Sequence, residues 1–295
     1  MLNKKLFFLS IFIFSFIFSF SQENLLDLLN NKPKTTFASS TFKETKVINL
    51  QSNETPAKNQ LQFIISHRFG KLNDGAYQLW GLDNSQIRFH LSYGITDWFS
   101  AGLGRSSNNK VYDGWAKYKL LKQSTGNKNI PFSLTGYNAI FIKTIKDFSI
   151  PDSCLCLNKK ISYAHQLIIA RKFSKKTSVE IVPTLLHYNS VDSSSYSNDI
   201  FAISIGARQK LNSSISLNLE YNYLLTKKNP NNTNSLSIGF DIETGGHIFQ
   251  LHLTNAKGMI ESEFIGENTG KWKNGDIYFG FNISRQFNLK KNKKY

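Results

Sequence analysis

The feature that most constrains this chain is a period of two that begins at Leu61 and runs almost to the C-terminus. In 61–69 the odd positions are Leu61, Phe63, Ile65, His67 and Phe69. In 86–93, Ile87, Phe89, Leu91 and Tyr93 alternate with Arg88, His90 and Ser92. In 214–223, Ile215, Leu217, Leu219, Tyr221 and Tyr223 alternate with Ser216, Asn218, Glu220 and Asn222. In 235–243, Leu236, Ile238, Phe240 and Ile242 alternate with Ser235, Ser237, Gly239, Asp241 and Glu243. In 276–284, Ile277, Phe279, Phe281 and Ile283 alternate with Asp276, Gly280, Asn282 and Ser284. Successive side chains of a strand point to opposite faces, so each segment reads as a strand with one apolar and one polar side. Strands near 97–104, 111–121, 131–143, 160–173, 178–188, 199–210 and 247–254 bring the expected total to twelve, although 131–143 alternates poorly.

The connections say what covers the apolar side. Those at 94–97, 174–177, 211–214 and 243–246 are tight, and 122–130 is intermediate. Those at 71–85, 105–110, 144–159, 189–198, 225–234 and 255–275 are mostly longer and polar. Tight and long connections thus alternate, as they do when an up-and-down barrel has one rim in the periplasm and the other outside the cell. A soluble two-sheet sandwich shares the alternation but not the one-sided loop lengths. Lipid also forces closure, because an open sheet edge leaves backbone groups unpaired in hydrocarbon. The expected fold is therefore all-β: a twelve-stranded antiparallel up-and-down transmembrane β-barrel with a short N-terminal helical and linker segment. The stretch "YGITDWFSAGLG" (93–104) reads as a periplasmic hairpin. Phe99, Ala101 and Leu103 would face lipid, Ser100, Gly102 and Gly104 the lumen, and Tyr93 and Trp98 an interfacial girdle.

Residues 1–21 have the pattern of a signal peptide. Lys4 and Lys5 precede an apolar run from Leu6 to Phe20, and Ser19 and Ser21 supply small residues before a cleavage site at Gln22. The run is about 15 residues, short of the ~20 a spanning helix needs. Export to the outer membrane is the expected outcome, with outer-membrane lipids and the barrel-insertion machinery as partners. Residues 22–60 form a separate segment. Leu25, Leu26, Leu28 and Leu29 suit about two helical turns before Pro33, and the segment either lies in the periplasm or folds into the lumen. The barrel is expected over 61–288 and a basic tail over 289–295. Formal charge is +16, from 36 basic and 20 acidic residues, and falls to +10 without Lys4, Lys5, Lys290, Lys291, Lys293 and Lys294. Export argues against nucleic acid as the partner, and leaves lipid phosphates or an anion-tolerant lumen to account for the charge. Two cysteines, Cys154 and Cys156, make neither a disulfide framework nor a zinc site.

The strand phase nominates lumen-facing side chains: Arg68, Arg88, His90, Lys117, Lys119, Arg208, Glu220, Asp241, Glu243 and His252. Their carboxylates are expected to pair with the cations across the lumen, Glu220 with Arg208 for example. "HLSYG" (90–94) resembles the His-x-Ser arrangement of outer-membrane phospholipases. His90 and Ser92 fall on the lumen face beside a periplasmic turn, however, whereas a lipid-cleaving serine must face the bilayer. His67, His165, His187, His247 and His252 show no metal spacing, and "GENTGKWKNGD" (266–276) reads as a solvated turn. No cofactor, metal or enzymatic activity is expected.

Several stretches carry a family resemblance: "ISHRFGKLNDGAYQLWGLDNSQIRF", "YGITDWFSAGLGRSS", "YDGWAKYKLLKQSTG", "LIIARKFSKKTSVEIVPTLLHYN" and "NSLSIGFDIETGGHIFQLHLTNAKGMIESEFIGENTGKWKNGDIYFGFNIS". Together they resemble a Bacteroidota β-barrel family, domain of unknown function fifty-seven seventy-seven, across most of 61–287. The resemblance implies the same fold and a Bacteroidota origin, and it brings no activity. The expected function is a passive pore or structural membrane protein. The alternatives are a barrel that binds ligands or partners through its long loops, and a phospholipase-like enzyme.

Overall fold

The computed structural model describes residues 34–145, 157–191 and 196–289. The expected signal peptide, the helix near Leu25, Cys154, Cys156 and residues 290–295 lie outside these. Twelve antiparallel strands close into a barrel: β1 (Gln60–Lys71), β2 (Ser85–Gly94), β3 (Phe99–Ser106), β4 (Val111–Leu121), β5 (Ser133–Lys143), β6 (Ile161–Lys172), β7 (Thr177–Tyr188), β8 (Asp199–Lys210), β9 (Ile215–Leu224), β10 (Ser235–Thr244), β11 (His247–Thr254) and β12 (Tyr278–Asn288). Each strand pairs with the next in sequence, and β12 closes on β1 with Ile283 opposite Ile65. The meander and its closure agree with the sequence reading. β3 starts two residues later than expected, which makes Ile95–Trp98 the turn.

The two faces follow the period of two. Leu219 is 44% exposed and its neighbour Glu220 is 0% exposed, so the apolar set faces outward. The tight turns share one rim with the start of β1 and the end of β12. At that rim Thr36–Phe37 adds a two-residue ladder to Ser124–Thr125.

Two parts of the chain fill the lumen. The first is a finger over residues 41–57. It doubles back through Val47 N–H to Leu50 O (2.8 Å) and Ser52 N–H to Thr45 O (3.0 Å). Its groups bond to inward residues of β1, β4, β9, β11 and β12, as detailed below, which only a segment inside the barrel can do. It leaves past Gly94, where an added Cβ would come within 2.0 Å of Ala57 O. The second part is the connection between β11 and β12. It was expected to be a polar external loop, but it folds inward and carries a short helix, α1 (Glu261–Phe264). Ile260, Phe264 and Ile265 are buried in one apolar cluster with Tyr137, Phe141, Ile168, Leu186 and Ile200 of the inner wall. The interior is therefore mainly polar along β1–β3 and β9–β12, while along β5–β8 an apolar cluster lies among polar residues such as Gln166, Glu180, Thr184 and Arg208. That split explains the weak alternation of 131–143: Tyr137, Ala139 and Phe141 face protein rather than water.

The occupied lumen as candidate functional site

The tip of the finger is held by one carboxylate. Glu220 Oε2 accepts backbone N–H bonds from Ile48 (3.2 Å), Asn49 (2.9 Å) and Leu50 (2.9 Å). Its Oε1 accepts from Asn49 Nδ2 (2.8 Å) and Ser237 Oγ (2.9 Å). Successive amides at a turn point the same way, so one anion satisfies donors that would otherwise be orphaned in a buried place. Arg68 Nη2 donates to Asn49 Oδ1 (2.6 Å), Gln250 Nε2 to Val47 O (2.5 Å) and Asn282 Nδ2 to Ile48 O (3.1 Å). The stem has a matching cation. Lys117 Nζ donates to the carbonyls of Thr45 (2.9 Å), Ser52 (3.0 Å) and Glu54 (3.2 Å). The two ends of the turn thus receive opposite charges, each matched to the backbone groups it meets.

The other nominated residues fall into smaller groups. Arg88 Nη2 donates to Asp113 Oδ2 (2.6 Å) in a buried pair, and Arg88 Nη1 lies 3.1 Å from His90 Nδ1. The His90 ring stacks on Trp115, with 5.2 Å between centroids. Gly102, in the opening hairpin, leaves room for that tryptophan, since a Cβ there would meet its ring at 2.4 Å. Arg208 Nη2 donates to Ser216 Oγ (2.8 Å), and Glu243 pairs with Lys43 of the finger (2.6 Å) and less closely with Arg208 (3.5 Å). Asp241 accepts from Gln250 Nε2 (2.6 Å). His252 is buried beside Gly280, and its ring nitrogens have no partner among the described residues. Lys119 keeps the lumen phase and is partly exposed.

The expected Glu220–Arg208 pair is therefore corrected: the finger, not a cation across the lumen, satisfies Glu220. Gln62, Asp113, Gln250 and Asn282 were not singled out in advance. They are polar lumen-phase residues of ordinary strands; Asp113 pairs with Arg88, and the finger gives the other three a task. Ser92 Oγ donates to Gln62 Oε1 (3.2 Å), and the described structure has no hydrogen bond between Ser92 and His90. The pair sits inside the barrel with other partners, away from lipid.

The two lumen pieces meet at Glu261. Its Oε1 accepts from Gln51 Nε2 of the finger (2.8 Å) and its Oε2 from Tyr137 Oη (3.4 Å). The outer piece is tied to neighbouring loops through Asn108 and Asn109 on Glu263 and through Lys228 on Glu267 (2.7 Å). Burial pushes the carboxyls of Glu44 and Glu263 up to about 7, and pushes the Lys46 ammonium down to about 8, with Arg88 adding to the latter. Within "GENTGKWKNGD", Asn268 is buried and bonded to Thr233, and Asp276 pairs with Lys71 (2.8 Å), so this loop is anchored rather than freely solvated. Among the described residues no three His, Cys, Asp or Glu groups are placed to hold a metal ion. A cavity of about 280 Å³ opens near the long-loop rim, lined in part by Lys143, Lys159, Lys160, Tyr188, Lys228 and Glu267.

The structure is similar to the KdgM porin (8% identity, 77% of this chain and 99% of that chain, TM-score 0.47) and to the NanC porin (8% identity, 78% and 100%, TM-score 0.49). It is also similar to an outer membrane channel from Pseudomonas putida (12% identity, 79% and 97%, TM-score 0.46). No curated protein matches the sequence. Residues 42–287, which span all but the end residues of the finger and of the twelve-stranded barrel, match a family model described as a membrane bound beta barrel domain (DUF5777). The chain belongs to that family of membrane-bound β-barrels.

Proposed function

We propose that the protein is an outer-membrane pore held shut by its own finger. In this reading residues 1–21 are a signal peptide, the chain comes from a member of the Bacteroidota, and the barrel-insertion machinery places it among outer-membrane lipids. No catalytic role is assigned. The grip of Glu220 on the finger tip carries the proposal. It consists of hydrogen bonds to backbone amides, and water can replace such bonds when the finger leaves, whereas an apolar contact has no such substitute. The wall residues that hydrogen-bond the finger are polar and can be wetted after withdrawal, while Phe42, Val47 and Leu50 would leave the apolar cluster on that movement. Planar-bilayer recording tests this. The full chain is expected to be silent, and a chain lacking residues 41–57 to give discrete conductance steps. A folded deletion variant that stays silent would refute closure by the finger alone and leave the inward β11–β12 connection as a second block. Equal conductance in both would refute closure by the finger.

A second reading rests on the outer cavity. Lys159 and Lys160 have no acidic partner among the described residues, in a pocket that also offers Tyr188 and several hydroxyls. This suits capture of a small anionic ligand by the long loops. Binding of an acidic oligosaccharide to the intact protein, compared with a Lys159→Glu/Lys160→Glu variant, tests it. Equal affinities would remove it.

A further inference from the structure

The outward face of the barrel is apolar over most of its circumference, with Phe89, Leu91, Ile203, Leu219, Phe240 and Leu251 all exposed. β4–β6 interrupt this only near mid-strand, between exposed Tyr112, Leu120, Ile140 and Leu167. Their outward residues include Gly114, Ala116, Tyr118, Gly136, Asn138 and His165. Asn138 is the sixth of 11 residues in β5, and His165 is the fifth of 12 in β6 and its direct register partner. A strand of about eleven residues, at ~3.3 Å each and ~40° of tilt, crosses about 28 Å, so a central residue lies near the bilayer midplane.

These side chains form a row across three strands. Asn138 Nδ2 lies 3.0 Å from Tyr118 Oη, and Asn138 Oδ1 lies 2.6 Å from His165 Nδ1. An amide oxygen only accepts, so Nδ1 carries the proton and His165 Nε2 is left as a bare acceptor. Tyr118 accepts from the amide and keeps its own O–H to donate. Turning the amide over reverses both ends and leaves the same inventory. Either way the row ends in one free donor and one free acceptor, at a depth where neither water nor acyl chains can satisfy them. His67 also points outward, but its ring stacks on Phe281 (4.9 Å) and Phe69 (4.4 Å).

The surface on the Tyr118 side of the row is low, while Ile140 and Leu167 stand out beside Asn138 and His165. The Tyr118 ring lies across Gly136, where a Cβ would meet it at 2.3 Å, and Gly114 and Ala116 add little relief. Small residues let backbones approach closely in a membrane and let polar groups bond across the contact. We propose that a second copy of this chain covers β4–β6 in a two-fold dimer. The Tyr118 end of each row meets the His165 end of the other. A two-fold interface requires that residue i touch j while j touches i, and a row with a donor at one end and an acceptor at the other meets that requirement when laid antiparallel on its copy.

Cysteine cross-linking in lipid vesicles tests this in a full-length Cys154→Ser/Cys156→Ser background. Oxidised Ala116→Cys is expected to give a dimer band, and Leu219→Cys on β9 is expected to give none. Adding Tyr118→Phe removes two bonds by symmetry and is expected to weaken the dimer about tenfold, with heat-modifiable migration reporting that the barrel still folds. The proposal is overturned by any of four results: no Ala116→Cys dimer, equal bands from both positions, an undiminished band with Tyr118→Phe, or a cross-link in native membranes to a different protein.

Discussion

Replacing Glu220 by alanine tests what holds the finger in the lumen. The change leaves the backbone amides of Ile48, Asn49 and Leu50 and the side-chain amide of Asn49 without their shared acceptor. A hydrogen bond to a charged group contributes about 1.5–3 kcal/mol. The four are coupled through one carboxylate, and water entering the vacated space satisfies part of them, so their sum overstates the loss. Counting two in full gives a net penalty of about 3–6 kcal/mol, or roughly two to four orders of magnitude in the docked-to-released ratio. Glu220→Gln is expected to behave similarly for the finger, because its NH₂ would face N–H donors. Assembly of the barrel should be little affected in either variant, since the strand ladders do not use this side chain. The assay is the rate of maleimide reaction at Ser52→Cys, in the Cys154→Ser/Cys156→Ser background, because Ser52 is fully buried while the finger is docked. A rise of about a hundredfold or more is expected on the penalty above. A change of less than about threefold, in protein that migrates as a folded barrel, would show that the carboxylate does not hold the tip.

Lys117→Met removes three bonds to the finger's carbonyls and is expected to speed the same labelling reaction, by less than Glu220→Ala, because an unpaired carbonyl is tolerated more readily than an unpaired N–H. Leu219→Arg places a cation on the lipid face and should cost ~2–4 kcal/mol of barrel stability, measured as folding yield in detergent beside Glu220→Gln; equal yields would mean that the faces are inverted. Docking should depend on pH. The carboxyls of Glu44 and Glu263 are raised from 4.5 to about 7, so the stability they lend is full below about 4.5 and is lost as pH rises through about 7. The Lys46 ammonium is lowered from 10.5 to about 8, so its contribution is full above 10.5 and is lost as pH falls through about 8. Ser52→Cys labelling, corrected for thiolate fraction, should therefore rise between pH 5 and 7.5 as Glu44 of the finger ionises, and a flat profile would count against burial of Glu44. An impermeant thiol reagent is expected to label Cys154 and Cys156 on intact cells, after reduction if they are bridged, and labelling only after lysis would mean that the rims are reversed.

The strands were legible because lipid imposes the same demand on each of them: apolar outside, with every backbone group paired. Leu217, Leu219 and Tyr221 against Asn218, Glu220 and Asn222 state that demand without reference to anything else in the chain. The lumen was not legible, because its partners are far apart in sequence and carry no period. Residues 41–57, "TFKETKVINLQSNETPA", look like a polar linker until Glu220 meets the amides of Ile48–Leu50 some 170 positions away. The inward loop left one sign that was passed over: Met259, Ile260, Phe264 and Ile265 are an apolar group in a connection that water alone would not favour. The most informative segment was the one that fitted worst. In β5, Tyr137 faces inward onto the apolar cluster, and Asn138 faces outward into hydrocarbon. A strand between water and lipid should read polar-in and apolar-out, and β5 breaks that pattern at its centre, with Tyr137, Ala139 and Phe141 inside and Asn138 outside between Leu134 and Ile140. Its inner side meets α1 and the apolar cluster rather than water. The same logic applied to its outer side calls for a polar, close-fitting neighbour where other strands meet only lipid. The broken alternation at 131–143 thus follows from protein packing on the inside and is the sequence mark of the proposed second-copy contact on the outside.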